Sequence, residues 1–189
     1  EGEATITVVT VDGNFSDTCA VTVVKPLGGV EHNYSFDYSA ITVLADKAKL
    51  TQEDLGEANQ FLTILGTDKV TYRTSNNCIE NKNDGLSVTF QGYGTITITF
   101  SSTGVSNVSR LGLQNANGEY LVADVNGTTA QLSDSSLNGK AVDPSELGTY
   151  EVKGTGSGAT VTFTISAPGT YTINCPSITL GRGARILNI

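Results

Sequence analysis

The sequence predicts an all-β chain whose larger part is an antiparallel β-sandwich, jelly-roll-like in its run of short strands, preceded by a separate two-strand hairpin. Three observations carry this expectation. Residues 92–104, GYGTITITFSSTG, place Ile96, Ile98 and Phe100 on one side and Thr95, Thr97 and Thr99 on the other, the two-residue period of a strand with one dry and one wet face. The same pattern returns at 160–165 (TVTFTI) and at 170–173 (TYTI), so these strands are expected at the centre of the sandwich. The composition, 38% apolar and 16% charged with 21 glycines in 189 residues, suits many short strands joined by turns rather than helices.

Taken in order, residues 1–25 read as two strands around an Asp12–Gly13 turn, with Ala4, Ile6 and Val8 alternating against Thr5 and Thr7 and a second strand over 18–24. A lone hairpin cannot bury enough surface to stand alone in water, so it is expected to lean on another sheet edge or on a neighbouring molecule. Residues 26–30, Pro26 to Val30 with two glycines, form the linker, because Pro cannot donate to a ladder and Gly frees the backbone. Residues 31–189 are the sandwich. Within it, 34–44 reads as one or two strands, and Thr51 followed by Glu53 and Asp54 as a single helical turn stopped by Gly56. Residues 61–65 and 70–74 are short strands, and 75–85, dense in Asn, Asp and Gly, is expected to be mostly loop. Strands follow at 86–90 and 95–101, then at 109–114, which the Asn117–Gly118 turn folds back as a hairpin into 120–124. Residues 126–144 are polar with room for one weak strand. Strands at 148–153, 160–165, 170–174 and 184–189 close the chain.

The net charge of −8 and a pI near 4.5, with scattered Lys and Arg, argue against nucleic acid as a partner. An anionic polymer would likewise need a local basic patch to bind. No apolar run has the length of a bilayer span, so membrane insertion is not expected. The chain opens on Glu1 and holds no Met, and it is expected to be part of a larger multidomain chain of extracellular origin. Cys19, Cys78 and Cys175 are odd in number and lack metal-ligand spacing. They read as small, mostly buried thiols, with a Cys78–Cys175 bridge as the alternative.

Two resemblances add to this reading. The strings GEATITV at 2–8 and TCAVTV at 18–23, around DGNF at 12–15, resemble the last two strands of a bacterial Ig-like domain of group 2. That resemblance implies a secreted or surface-exposed bacterial protein in which such modules space or adhere. From residue 50 onward, the order LTQEDL, FLTILG, GTITITFSSTG, RLGLQNANG, PGTYTI and RILNI is similar to the carbohydrate-binding-module-like sandwiches appended to bacterial pectate lyases and other extracellular glycan-processing proteins. It implies a module that binds or positions a plant or host polysaccharide and performs no chemistry, although Leu187 replaces an aromatic near the end. The alternative is a structural or adhesive spacer with no sugar binding.

Sugar recognition needs an aromatic face and polar side chains at its rim. Trp is absent, so the candidates are Tyr72, Tyr93 and Tyr120 with Arg73, Arg110, Asn115, Asn117 and Arg182, of which Tyr72, Arg73, Arg110, Asn117, Tyr120 and Arg182 form the expected ligand set. The competing reading is a core or half-buried strand residue for each Tyr and a surface ion pair for each Arg. Catalysis is not expected. His32 is the only histidine and has no nucleophile motif beside it, and a glycosidase pair among Glu80, Asp84, Glu119 and Asp124 is no more than any acidic chain would offer. No cofactor is expected. The 76–84 loop, with Asn76, Asn77, Glu80, Asn81, Asn83 and Asp84, offers hard oxygen ligands, so structural calcium at Asn81, Asn83 and Asp84 is weighed against a solvated turn.

Overall fold

The computed structural model describes residues 2–23, 45–74, 77–126, 131–132, 144–155, 158–176 and 183–189. The chain divides into two units, Glu1–Glu31 and His32–Ile189. The linker expected at 26–30, the strands expected at 34–44, and His32 lie outside the described residues, as does most of the polar stretch at 126–144.

The first unit is a hairpin of β1 (Gly2–Val9) and β2 (Ser16–Val23), antiparallel with Ile6 opposite Cys19 and Thr7 opposite Thr18. Gly13, at φ 71°, supplies the left-handed residue of the connection, and the Thr10 amide donates to the Phe15 carbonyl at 3.0 Å to close it. Alternation puts Ile6 and Val8 on one face, where they are 55% and 67% exposed.

The second unit is an antiparallel β-sandwich. Its strands are β3 (Leu62–Ile64), β4 (Val70–Arg73), β5 (Cys78–Asn81), β6 (Asn83–Phe90), β7 (Gly94–Ser101) and β8 (Val108–Gln114). They continue with β9 (Ala123–Asn126), β10 (Tyr150–Lys153), β11 (Ala159–Ile165), β12 (Gly169–Cys175) and β13 (Ala184–Asn188). Five of them form one sheet in the order β10-β8-β12-β6-β3, and six the other in the order β4-β5-β13-β7-β11-β9. The alternating strand at 95–101 is β7, and its near copy β11 pairs directly with it, Ile98 opposite Val161 and Thr97 opposite Thr162. Their threonines also pair on the outer face, Thr97 with Thr162 and Thr99 with Thr160 at 3.0 Å. The third copy, β12, lies in the middle of the other sheet.

The core lies between the sheets. Leu86, Leu111, Leu113 and Ile173 come from one side and Ile79, Ile98, Phe100, Val161 and Ile186 from the other, all fully buried. Tyr150 of β10 meets Phe163 of β11 edge-to-face, ring centres 6.0 Å apart, a favoured aromatic geometry. Its hydroxyl accepts the Ala123 amide at 2.6 Å, so one residue of the five-stranded sheet also anchors β9 of the six-stranded one.

Three local expectations are corrected. Residues 78–81 are not loop: Cys78 to Asn81 form a buried strand with β4 on one side and β13 on the other. Its last residue serves the interior. The Asn81 side chain is fully buried and donates to the Ile173 carbonyl at 2.9 Å, tying the six-stranded sheet to β12 of the other. Second, the return from the Asn117–Gly118 turn is not a hairpin strand. Tyr120 makes one bridge to Gln114, and β9 then pairs with β11 in the opposite sheet. Third, the helical turn at 53 becomes a longer 3₁₀ segment, Glu53–Gln60, broken at Gly56 with φ 54°. The Asp54 carboxylate accepts both the Thr51 amide and its hydroxyl at 2.7 Å. Gln52 fastens the segment to β3, donating to the Leu62 carbonyl at 2.8 Å and accepting the Ile64 amide at 2.7 Å.

The three cysteines are free. Cys78 and Cys175 are buried but Cys19 is exposed, against the expectation that all are mostly buried. Among the described residues no helix is long and apolar enough to cross a membrane.

Two outcomes are expected. Asn81→Ala removes a buried donor and leaves a cavity, a cost of about 2–4 kcal/mol that a lower urea midpoint would reveal; an unchanged midpoint would show that the amide carries no weight. Burial raises Cys78 to about 11 and Cys175 to about 12. The unfolded chain therefore loses these protons first, at about pH 8.5, and the stabilisation present below that pH is lost as the pH rises. Unfolding free energy should fall across that alkaline window, and at neutral pH a thiol reagent should titrate Cys19 alone in the native chain.

Candidate functional site

Strand alternation sets the surface of the five-stranded sheet. On β12, Tyr171, Ile173 and Cys175 are buried while Thr170 is exposed and Thr172 and Asn174 are half-buried, so the last three share the outer face. Gln114 of β8 stands opposite Thr172, and the Asn174 amide reaches its Oε1 at 3.4 Å. Thr170 shares a hydroxyl hydrogen bond of 3.0 Å with Thr89 of β6. The result is a polar track along β12, about 13 Å from Thr170 to Asn174 at the rise of a strand.

A cleft lies at each end. The first, of about 270 Å³, opens between the turn after β8 and the turn before β12, lined by Asn115, Asn117, Ser166, Pro168, Thr170 and Tyr171 among others. The Tyr171 ring is held there by an edge-on contact with Phe90, centres 6.0 Å apart, and by its hydroxyl donating to the Ala167 carbonyl at 2.8 Å. Asn115 shapes the rim: its Oδ1 accepts the amides of Asn117 at 2.9 Å and Glu119 at 3.0 Å, an Asx turn that fixes the loop before Gly118 takes φ 80°. The second cleft, of about 250 Å³, is lined by Asn83, Asp84, Gln114, Ser145, Asn174 and Pro176. Lys69 donates to Asp84 at 2.6 Å and holds that carboxyl below its usual range.

The segment beside the second cleft is fastened from beneath. Tyr120 packs where two side chains are missing: a Cβ on Gly112 would lie 2.6 Å from its Cε1, and one on Gly148 2.7 Å from its Cβ. Its hydroxyl accepts the Asn174 amide at 2.7 Å and donates to the Ser145 carbonyl at 3.1 Å. Burial raises this phenol above its usual range. Arg110 reaches up from β8, its Nε donating to Glu151 at 2.9 Å and its Nη1 pairing with Glu146. The three side chains are 9–14% exposed.

Of the expected ligand residues, Asn117 lines an open cleft, and Tyr120 lines neither but accepts the amide of Asn174, which lines the second. Its ring, against Gly112 and Gly148, is a packing element. Tyr72 is in the core, its hydroxyl donating to Asn77 at 3.2 Å. Arg73 lies between Asp46 and Glu80 at 3.7 and 3.8 Å, and Arg110 is committed to its two carboxylates. Tyr93 is exposed on the turn between β6 and β7, apart from both clefts. Arg182 and Asn76 lie outside the described residues. The calcium candidates are divided: Asn81 turns its amide into the core, whereas Asn83 and Asp84 line the second cleft. Among the described residues no three His, Cys, Asp or Glu side chains are grouped as a metal would require. Glu80 and Asp124 lie on β5 and β9, four strand positions apart in one sheet, and Glu119 accepts the Asn115 amide at 2.8 Å.

Sequence reasoning missed Gln114, Asn174, Thr172 and Tyr171. The signal was present, because the alternation of 170–175 puts Thr170, Thr172 and Asn174 on one face. Comparison of the chain with protein-family models, with curated proteins and with solved structures returns no match.

Arg110→Ala should strand two largely buried carboxylates and cost about 3 kcal/mol. Adding Glu146→Gln and Glu151→Gln should restore part of that loss in thermal melts. A single variant melting like the parent would show the clamp to be idle.

Proposed function

We propose that the sandwich is a non-catalytic, carbohydrate-binding accessory module of a secreted or cell-surface bacterial protein, directing a larger chain to a glycan. The observation that carries this reading is the polar track of β12 with a cleft at either end. Saccharides present rows of hydroxyls that both donate and accept; the Gln114 amide and the hydroxyls of Thr170 and Thr172 do the same, and Asn174, its two N–H groups given to Gln114 and Tyr120, adds its Oδ1 as an acceptor. These groups stand on paired strands, so little ordering is needed when a ligand binds. Pro168 at the first cleft, over the buried Tyr171, gives a small apolar surface. With no Trp in the chain and shallow clefts, the affinity is weak, and the role is targeting rather than retention. No cofactor enters this reading.

Affinity electrophoresis of the full chain through gels carrying soluble glucans, mannans, xylans and galactans tests it. At least one polymer should retard migration. Asn117→Ala and Thr172→Val, neither of which removes a core contact, should each weaken retardation about 5–10-fold, the worth of one hydrogen bond, with the circular dichroism spectrum unchanged. Free migration in every gel would leave the spacer reading in its place.

A further inference from the structure

We infer that the saccharide taken by this surface is uncharged and that polymers of uronic acid are turned away from it; the inference rests on the glycan reading above and names its ligand class. The ground is the disposition of charge around the track. Neither cleft is lined by Lys or Arg among the described residues. The second is lined by the Asp84 carboxylate, and Glu119 stands in the turn that frames the first, bonded to Asn115.

Two cations near this face are paired, while Lys153, exposed on β10, stands opposite Val108 at the end of β8 away from Gln114, and Lys82 lines neither cleft. Arg110, in β8 with Gln114, is held by Glu146 and Glu151, so the clamp carries one more negative charge than positive. Lys69 is bonded to Asp84, which leaves that pair neutral rather than positive. On the other sheet Arg73 is similarly placed between Asp46 and Glu80. A uronate carboxylate is an acceptor only and calls for unopposed donors, best of all a guanidinium fork. The track instead offers amides and hydroxyls, which match a hydroxyl's double role and give a carboxylate no counter-charge. Screening confines the effect of distant charges to about a Debye length, 8–10 Å at physiological salt. The local groups therefore decide the matter, and the net charge of −8 adds to their effect only as the ionic strength falls.

The test uses the full chain in affinity gels carrying soluble β-glucan, mannan or galactan, each in native form and after oxidation of its C6 alcohols to carboxylates, with polygalacturonate alongside. Each oxidised partner differs from its parent chiefly in charge. The expected result is retardation by at least one native polymer, loss of that retardation on oxidation, and none by polygalacturonate at low or physiological salt. Thr172→Lys, which sets a cation on the half-exposed outer face of β12, should restore retardation by the oxidised polymer. Retardation by polygalacturonate, or by an oxidised polymer as strongly as by its parent, would overturn the inference while leaving glycan binding in place. Free migration in every gel would overturn the glycan reading itself and this inference with it.

Discussion

Between β5 and β6 the chain leaves one sheet and enters the other within a single residue, Lys82, and the rest of the sandwich depends on how that corner is held. Asn81, the last residue of β5, is paired on both sides, to Val70 of β4 and to Ala184 of β13. Its side chain crosses the interior to the Ile173 carbonyl and the Cys175 sulfur of β12. A backbone carbonyl buried without a partner would be costly. The amide answers that need where the β12–β6 register shifts between Ile173 and Cys175. The fit requires two glycines, since a side chain at Gly85 would strike the Asn81 amide and one at Gly183 its carbonyl. Asn83 completes the turn at φ 51°, a conformation Asn tolerates better than most residues. One polar residue thus sets the relation of four strands, and through β12 it sets the position of the track.

The outer face of the five-stranded sheet is held by a different kind of contact. Tyr120 packs over Gly112 and beside Gly148, and the Arg110 clamp draws 144–151 onto the same face. Among the described residues these contacts cover the half of β8 nearer to β10 and reach β12 only at Asn174, leaving Gln114 and Thr172 half-exposed. The clefts lie where this covering stops. The second cleft borders this packing: Tyr120, which shields Gly112, donates to the Ser145 carbonyl, and Ser145 is a wall of that cleft.

Strands that alternate were legible in the sequence, because burial of one face is the force that both selects the pattern and builds the sheet. That covers β7, β11, β12 and β13, and with them the fold class. The stretch at 75–85 misled for a physical reason. Asn and Asp favour turns when solvated, but between two partner strands their backbones pair like any other, and Asn81 is needed for its amide. Residue type misled in the same way at the site. Tyr72 and Arg110 belong to classes that bind sugars when exposed, and whether they are exposed depends on partners distant in sequence, Asn77 excepted. Arg110 is 41 residues from Glu151, a separation that no local pattern reveals.

Charge links the fold to the proposed ligand. The chain has 19 acidic side chains and 11 Lys and Arg, and several of those acids are largely buried: Glu80, Glu146 and Glu151 are 8–14% exposed. An unpaired carboxylate at such positions would cost several kcal/mol, so arginines are drawn to them. Arg73 and Arg110 are consumed in this way, and Arg185, itself buried, stands opposite Glu80 in the β5–β13 register. Strands whose outward positions are filled by Thr, Asn and Gln need no such neutralisation, and those are the ones left open. An acidic sandwich of this composition therefore leaves the linings of its two clefts polar and, among the described residues, without Lys or Arg. The same pairing of charge that permits the fold is what, under the proposed function, matches this face to a ligand that brings hydroxyls and no charge of its own.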